Sequence, residues 1–417
     1  MRIAVTGIGA VTPVGNNSEE TWQNLLRGHS GIGPLSTFEA STFPARIAGQ
    51  VRDLDVSSVK NSECSFQYLS RAGTFGAVAA NEANKQVALS PDTHPPELRG
   101  VFGGGHMARP SAEEFSSIIY DYELLMQPHA RRDLMTVKRE SQTTDLAVLA
   151  RQFCSAGPLL GLSTACASSA HAIGEAFTRI QAGEITAALA GGHDSLLSWL
   201  DLAGFSLLDA LTTSYNDAPS KGSRPFSADR DGFVLGEGAA YVILERADIA
   251  TERGANILAY IDGYASSMNA YSITDAPPGG GETITAMSKA LNKANLTIED
   301  VSGVYAHGTG TPGNDSSESA AIRTLFAQHT DDLFVTSTKS ATGHLTAAAG
   351  SLNVVAATLS FRDAVVPPTI NLEAKDPELK IPVVQNAALP RKSKSVVVNA
   401  FAFGGTNASL VMSRADT

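Results

Sequence analysis

Short runs of β-branched and small apolar residues recur along the chain between longer stretches whose apolar positions repeat every three to four residues. The runs fall at 2–7, 186–191, 239–245, 257–262, 301–306, 333–337 and 395–401, and each predicts a strand. The three-to-four repeat is clearest over 167–182, 283–295, 316–328 and 346–361, and predicts helices there. Such alternation of strand and helix argues for α/β layers whose strands are buried on both faces. Two punctuated stretches, Asp275-Ala-Pro-Pro-Gly-Gly-Gly281 and Tyr215–Asp231, read as functional loops rather than tethers. The chain also echoes itself faintly. Ser163-Thr-Ala-Cys-Ala-Ser-Ser is matched by Ser337-Thr-Lys-Ser-Ala-Thr-Gly, each leaving a predicted strand and opening an Ala-rich helix. A duplicated α/β unit fits this pattern, with the halves meeting near residue 250.

Composition narrows the class. With 417 residues and 43% hydrophobic content a large core can be buried, while aromatics at 6% against 37 glycines favour close helix-on-sheet packing. The net charge of −11 lacks the basic footprint that nucleic-acid binding requires. One local basic cluster, Arg131, Arg132, Lys138 and Arg139, suits either a solvated face or a patch for an acidic protein or a phosphate. The three cysteines, Cys64, Cys154 and Cys166, are odd in number and lack a repeated spacing, so a disulfide framework or zinc knuckle is not expected and a reducing compartment is. The apolar N-terminus is broken by Gly7, Gly9 and Pro13 and reads as a strand entering a turn, not a signal peptide. No apolar run reaches 18 residues, so no membrane span is expected and a cytoplasmic, soluble chain is.

Candidate chemistry centres on Cys166. A strand-to-helix elbow precedes it, and Ala170, Ile173, Phe177 and Ile180 form the buried face of the helix that follows, with Gly183 as its stop. A helix N-terminus favours anions, so a thiolate there is expected to have a lowered pKa. A buried structural cysteine is the alternative for any lone Cys; Cys64 and Cys154 lack the elbow and are read as core residues. Two histidines sit in Gly/Thr-rich turns downstream, His307 in His-Gly-Thr-Gly-Thr-Pro312 and His344 in Lys339-Ser-Ala-Thr-Gly-His344. Neutral imidazoles aimed into one pocket can stabilise an enolate or oxyanion. A metal is disfavoured, because no acidic ligand stands at helical spacing from either ring. Lys339 is read as a group that fixes the orientation and tautomer of His344, with Glu318 pairing the buried ammonium; exposed surface charges are the alternative for both. Asn399-Ala-Phe401-Ala-Phe403-Gly-Gly-Thr-Asn407 ends a strand in a turn whose N–H groups suit an oxyanion hole, or simply a tight turn with two core phenylalanines. Gly7-Ile-Gly9 begins like a dinucleotide fingerprint, but Thr12 occupies the place of the third glycine.

Taken in order, these motifs resemble the β-ketoacyl-[acyl carrier protein] synthases, condensing enzymes of the thiolase fold. The likeness runs from Ala4-Val-Thr-Gly-Ile-Gly-Ala-Val-Thr-Pro-Val-Gly15 through Ser223-Arg-Pro-Phe-Ser-Ala-Asp-Arg-Asp-Gly-Phe-Val-Leu-Gly-Glu-Gly238 to the C-terminal Phe401-Ala-Phe-Gly-Gly-Thr-Asn turn. It implies a five-layered αβαβα α/β fold of two pseudo-symmetric halves, 1–250 carrying the cysteine and 251–417 carrying both histidines. It implies that Cys166 accepts an acyl chain and that His307 and His344 bind a malonyl thioester and promote its decarboxylation, supported by Lys339 and Glu318. The N–H groups of Cys166 and Phe403 would form the oxyanion hole. Thr309 and Thr311 would meet the phosphopantetheine arm of an acyl carrier protein, which is substrate rather than bound cofactor; no metal is implied. Phe401 and Phe403 would line the substrate site, Phe403 as a gate. The partner would be the carrier, and the assembly a homodimer or a heterodimer with a chain-length-factor-like homologue lacking the cysteine.

Departures from the family pattern bear on substrate. Ala402 replaces the glycine before Phe403. His106, in Gly103-Gly-Gly-His-Met-Ala-Arg109, stands where an aliphatic wall of the acyl pocket is usual, and Met135–Gln142 is unusually polar. Around residues 64–72 the carrier-docking cations are reduced to Arg71, Asp209 replaces a common arginine, and Arg131 and Arg132 remain as docking candidates. These differences point to a specialised polyene or polyketide synthase rather than a housekeeping fatty-acid enzyme.

Overall fold

The structure is a computed structural model that describes residues 2–60, 66–106 and 141–416. Among the described residues, ten strands share one sheet: β1 (Ile3–Val11), β2 (Arg99–Gly104), β3 (Leu159–Leu162), β4 (Ala187–Ser195), β5 (Glu237–Arg246), β6 (Ala259–Met268), β7 (Val301–Tyr305), β8 (Phe334–Thr336), β9 (Ser395–Phe401) and β10 (Thr406–Arg414). Their spatial order is 8-7-9-10-6-1-5-4-2-3. Read from the centre outward, each strand of the first half finds its counterpart five strands later. Even the pairing senses repeat: β2 is parallel to β3 and β4, as β7 is to β8 and β9, while β5 and β10 are antiparallel to their neighbours. The two halves join where β1 and β6 pair antiparallel.

Among the described residues, eight helices have nine or more residues: α1 (Ser18–Leu26), α2 (Arg71–Lys85), α3 (Gln142–Gln152), α4 (Ser168–Gln181), α5 (Trp199–Leu207), α6 (Glu282–Ala294), α7 (Pro312–Phe326) and α8 (Ala349–Asp363). On one outer face α2 covers β1, β4 and β5, with α3 beside it; on the other α6 covers β6 and β10, with α7 beside it. Between the half-sheets lie α4 and α8, each touching strands of both halves. Every residue of α8 from Ala349 to Phe361 is buried, as a central layer demands, and its Ala/Ser/Gly content lets backbones approach. This is the thiolase-like five-layered arrangement, and the two halves are alike in topology.

All seven apolar runs named above are strands, and all four helical stretches are helices, with ends shifted by a few residues. β2 and β10 were not legible as strands, whereas β3 is the strand expected before the Cys166 elbow, though partly exposed rather than buried on both faces. β2 is Gly-rich, and β10 interleaves Thr, Asn and Ser with apolar residues although it is buried almost throughout. Helix α2 carries Gly73 and Gly76, which weaken helical preference; packing against β1 overrides it. Cys154 corrects an expectation: it is exposed, in a left-handed backbone conformation at φ 50° just beyond α3, and is no core residue. Cys64 lies outside the described residues.

The Gly7-Ile-Gly9 pair has a packing explanation. A Cβ at Gly9 would lie 2.0 Å from the Ala79 carbonyl oxygen, and one at Gly7 2.4 Å from that of Ala83, so α2 can ride directly on β1. The second half repeats the device, with Gly263 of β6 against Ala290 of α6 at 2.1 Å. Gly204, inside α5, is exposed and has nothing within 4 Å of its virtual Cβ. Gly9→Ala should therefore destabilise the fold by about 1–3 kcal/mol through overpacking, whereas Gly204→Ala should stabilise it by about 0.5–1 kcal/mol. Chemical denaturation of the two variants checks this; shifts of the same sign would contradict it.

Candidate active site

Four strand ends converge on one place: β3 leads to Cys166, β7 to His307, β8 to Lys339 and His344, and β9 to Phe401 and Phe403. After β3 the chain makes a single 3-10 turn, Ala165–Ala167, before α4 begins. Ala165 sits at φ 48°, a conformation disfavoured for a residue with a Cβ. Ser168 closes this elbow: its Oγ accepts the Thr164 N–H at 2.9 Å and donates to the Ala165 carbonyl at 2.6 Å. The second half has a matching turn, Thr346–Ala348, with Thr346 at φ 45° before α8. The structural repeat thus pairs Ala165 with Thr346, seven residues out of register with the echo visible in the sequence. Cys166 corresponds to Ala347, so the second elbow has no nucleophile.

A cavity of about 240 Å³ brings Cys166, His307 and His344 together, with Thr309, Thr311, Phe401 and Phe403 also on its wall. The imidazole centroids of His307 and His344 are 5.3 Å apart and nearly perpendicular. Phe233 packs edge-on against His344 at 5.4 Å, and Phe401 lies 5.6 Å from His307. Both rings are almost fully buried. Burial, and next the positive charge of Lys339, hold both well below the ordinary histidine range, so both are neutral near pH 7.

Their tautomers follow from their neighbours. The Thr346 N–H donates to His344 Nδ1 at 3.1 Å, which leaves the ring proton on Nε2. The Lys339 ammonium stands 3.4 Å from His307 Nδ1 and also donates to the His307 carbonyl oxygen. An ammonium is only a donor, so His307 too carries its proton on Nε2. Each ring is therefore a neutral N–H donor. Lys339 acts on His307, not on His344 as its sequence position suggested; the backbone of Thr346 performs that task for His344.

Glu318 serves the site through the backbone. Its two oxygens accept the His307 and Gly308 N–H groups at 2.9 and 2.8 Å, and Asn399 Nδ2 donates to it at 3.1 Å. One turn earlier on α7, Asp315 accepts the N–H groups of Thr309 at 3.0 Å and Gly310 at 3.2–3.3 Å. Four successive amides of the His307–Gly310 turn are thus gripped by two buried carboxylates. Burial pushes both carboxyl groups above their ordinary values, and the N–H donors pull the other way. Asp315 was not identified from sequence; at the start of a helix it reads as an ordinary solvated N-terminal acid. The acidic pair spaced by three residues after Thr311-Pro312 was the available signal.

The thiol departs from expectation. Burial pushes Cys166 up to about 12, Lys339 opposing and Asp194 adding to the rise. Desolvation outweighs the helix terminus here, although Cys166 itself keeps partial exposure toward the cavity. Among the described residues, the N–H groups of Cys166 and Phe403 make no hydrogen bond to another residue. Phe403 sits in a turn with Gly404 and Gly405 at φ 84° and 81°, and Ala402 packs against the central core. The hydroxyls of Thr309 and Thr311 bond each other at 2.9 Å at the cavity wall.

Two further candidate residues are engaged by buried acids of this chain. His106 does not line the cavity; its Nδ1 lies 2.7 Å from Asp194 Oδ2. Arg71 grips the buried Glu237 through two nitrogens, leaving its guanidinium only half exposed. Arg131 and Arg132 lie outside the described residues, as does most of Met135–Gln142. Asp209 is exposed at the cavity rim. Among the described residues no group of three or more His, Cys, Asp or Glu side chains is placed to hold a metal ion.

Comparison with known proteins gives the arrangement a context. Family models described as "Beta-ketoacyl synthase, N-terminal domain" and "Beta-ketoacyl synthase, C-terminal domain" match residues 1–250 and 258–373. The chain is 37% identical over 421 aligned positions to 3-oxoacyl-[acyl-carrier-protein] synthase 2 of Coxiella burnetii, covering 99% of this chain and 98% of that protein. Among solved structures, the ishigamide ketosynthase/chain length factor superposes with a TM-score of 0.87 at 30% identity, covering 99% of both chains. A type II PKS acyl-carrier protein in complex with its ketosynthase, bound to a hexaketide, gives 0.86 at 28% identity, covering 100% of this chain and 99% of that chain.

The position of Lys339 generates a pH expectation. Burial lowers its ammonium to about 8, so the positive charge beside His307 is present below that pH and lost above it. Reaction steps that build negative charge at the two rings should slow as pH rises through about 8, with no acid limb near 6.5 from either histidine. In Lys339→Met the alkaline limb should disappear along with most activity. A pH–rate profile with an acid limb at 6.5, or an unchanged alkaline limb in the variant, would contradict the assignment.

Proposed function

The chain belongs to the β-ketoacyl synthase family and is an acyl-transferring condensing enzyme, and from that premise we propose how its own residues run a decarboxylative Claisen condensation. What supports the reading is one cavity shared by a sulfur and two neutral imidazoles that each present an Nε2–H. In the first half-reaction Cys166 Sγ attacks the thioester carbonyl of an acyl chain carried on the phosphopantetheine arm of an acyl carrier protein. The carrier's sulfur leaves and takes up the thiol proton, so a thiol that is neutral at rest suffices. The tetrahedral oxyanion is held by the N–H groups of Cys166 and Phe403.

In the second half-reaction a malonyl thioester enters, its arm passing the Thr309 and Thr311 hydroxyls. The two Nε2–H groups bond its thioester oxygen. Loss of carbon dioxide leaves an enolate whose negative charge falls on that oxygen, where two fixed donors and the Lys339 charge stabilise it. The enolate carbon attacks the Cys166 thioester, the C–S bond breaks, and the released thiolate takes a proton from water. The product is the β-ketoacyl thioester on the carrier. Neutral donors suit this step better than imidazolium, because a charged ring would hold the malonyl carboxylate itself and oppose its loss.

The carrier partner, and a dimer with a like or chain-length-factor-like subunit, belong to the same reading. Support comes from the edge of the sheet: among the described residues β3 is the terminal strand, reads Leu-Leu-Gly-Leu, and is partly exposed along its length. An apolar edge of that kind calls for a partner strand. The specialised pathway, polyene or polyketide, rests on the departures noted above and on the likeness to polyketide ketosynthases. A cytoplasmic setting accords with the acidic chain and its odd cysteine count; among the described residues no helix is long and apolar enough to cross a membrane.

Cys166→Ala should abolish acyl loading measured by intact mass after incubation with hexanoyl-pantetheine, while Cys166→Gln should still decarboxylate malonyl-pantetheine. His344→Ala should lower decarboxylation by about 10²–10³-fold, the usual cost of one oxyanion donor, and loading much less. Loading of Cys166→Ala at the wild-type level, or a His344→Ala variant defective mainly in loading, would overturn the roles.

A further inference from the structure

The tautomer of His344 depends on a backbone N–H that belongs to a strained residue. Thr346 donates that N–H at 3.1 Å while holding φ 45°, in the left-handed region that β-branched residues avoid. Something must keep it there, because relaxation to an ordinary backbone would swing the N–H off Nδ1. The neighbouring contacts identify what does. Asp194, at the end of β4 and buried, accepts the Thr346 hydroxyl and the Ala347 N–H, the latter at 3.0 Å, on the same oxygen Oδ2. His106 Nδ1 reaches that oxygen too, at 2.7 Å, and the Ser195 N–H takes the other oxygen at 3.0 Å. A carboxylate only accepts, so His106 donates from Nδ1.

We propose that Asp194, oriented by His106, is a positioning residue that clamps the strained Thr346 turn so that its N–H fixes His344 as the Nε2–H donor. The chain of contact runs His106, Asp194, Thr346, His344, and crosses from the first half of the fold to the second. Burial alone would push the Asp194 carboxyl up; the His106, Thr346 and Ala347 donors outweigh it and hold the group below its ordinary value, ready to accept all three. This gives His106 a task beyond the acyl pocket wall on which its sequence position places it. The clamp acts on His344 through a hydrogen bond, whereas it meets the Cys166 turn only by packing of Thr346–Ala348 against Ala165–Ala167 and as a negative charge, so it bears on the second half-reaction more than the first.

The inference rests on the condensing role proposed above, and the test keeps the two apart. Thr346→Val and Thr346→Gly both delete the hydroxyl that Asp194 holds, but only glycine adopts φ 45° without strain. With hexanoyl- and malonyl-pantetheine as substrates, Thr346→Val should lower condensation by about 10–100-fold through misplacement of His344, with acyl loading of Cys166 falling much less. Thr346→Gly should condense several-fold faster than Thr346→Val. Asp194→Asn should behave like Thr346→Val, and adding Thr346→Gly to it should recover activity, which loss of a merely structural contact would not permit. Equal rates in the Val and Gly variants, no recovery in the double variant, or parallel loss of loading and condensation would overturn the clamp. Failure of the wild-type protein to condense at all would sink the functional reading instead.

Discussion

Four consecutive amides, from His307 to Gly310, point into the protein with no strand or helix to receive them, and two carboxylates from the next helix take all four. The rest of the site depends on this grip. A buried amide left without a partner costs about 1–3 kcal/mol, so the turn cannot hold its shape unaided. Asp315 and Glu318 lie one turn apart on α7, which sets their oxygens along the turn's own run. The turn in turn sets the His307 ring against His344 and lays the Thr309 and Thr311 hydroxyls along the wall. Lys339 then closes the arrangement by donating to the His307 carbonyl and standing against its ring.

The electrostatics are those of a dry site prepared for charge that is not yet there. Both imidazoles are neutral, the thiol is protonated, and the one ammonium is balanced at longer range by buried acids. In such surroundings a fixed N–H is worth more than it would be in water, and it needs no reorganisation when an enolate forms. The cost is carried by local strain, at Ala165 and Thr346, and by the buried Lys339, Glu318, Asp315 and Asp194. Strained residues gather at sites where surrounding bonds over-determine the backbone, and Ser168 and Asp194 supply those bonds here.

How much of this could be read from the chain follows from what kind of signal each residue leaves. Cys166, His307 and His344 sit in motifs of Gly, Thr and Ala whose order is specific, and the α/β class follows from apolar periodicity. The doubling of the fold was visible only as a faint echo, and in the wrong register, because small-residue turns look alike whichever way they are slid. Asp315, Asp194 and Thr346 were invisible for a different reason. An Asp at a helix start or a strand end is ordinarily solvated, and nothing local reveals that Asp194 on β4 will meet Thr346 across the two halves. The lowered thiol pKa expected from the helix terminus failed likewise: a local dipole argument cannot see the burial that outweighs it.

The central claim is that both imidazoles are neutral Nε2–H donors, held so from behind. Selective ¹⁵N labelling of histidine, with His307→Ala and His344→Ala to assign the two rings among nine, measures this directly. The account expects both rings protonated at Nε2 and bare at Nδ1, with shifts flat from about pH 5.5 to 7.5, around the ordinary histidine pKa. A ring protonated at Nδ1, or one that titrates within that range, would contradict it.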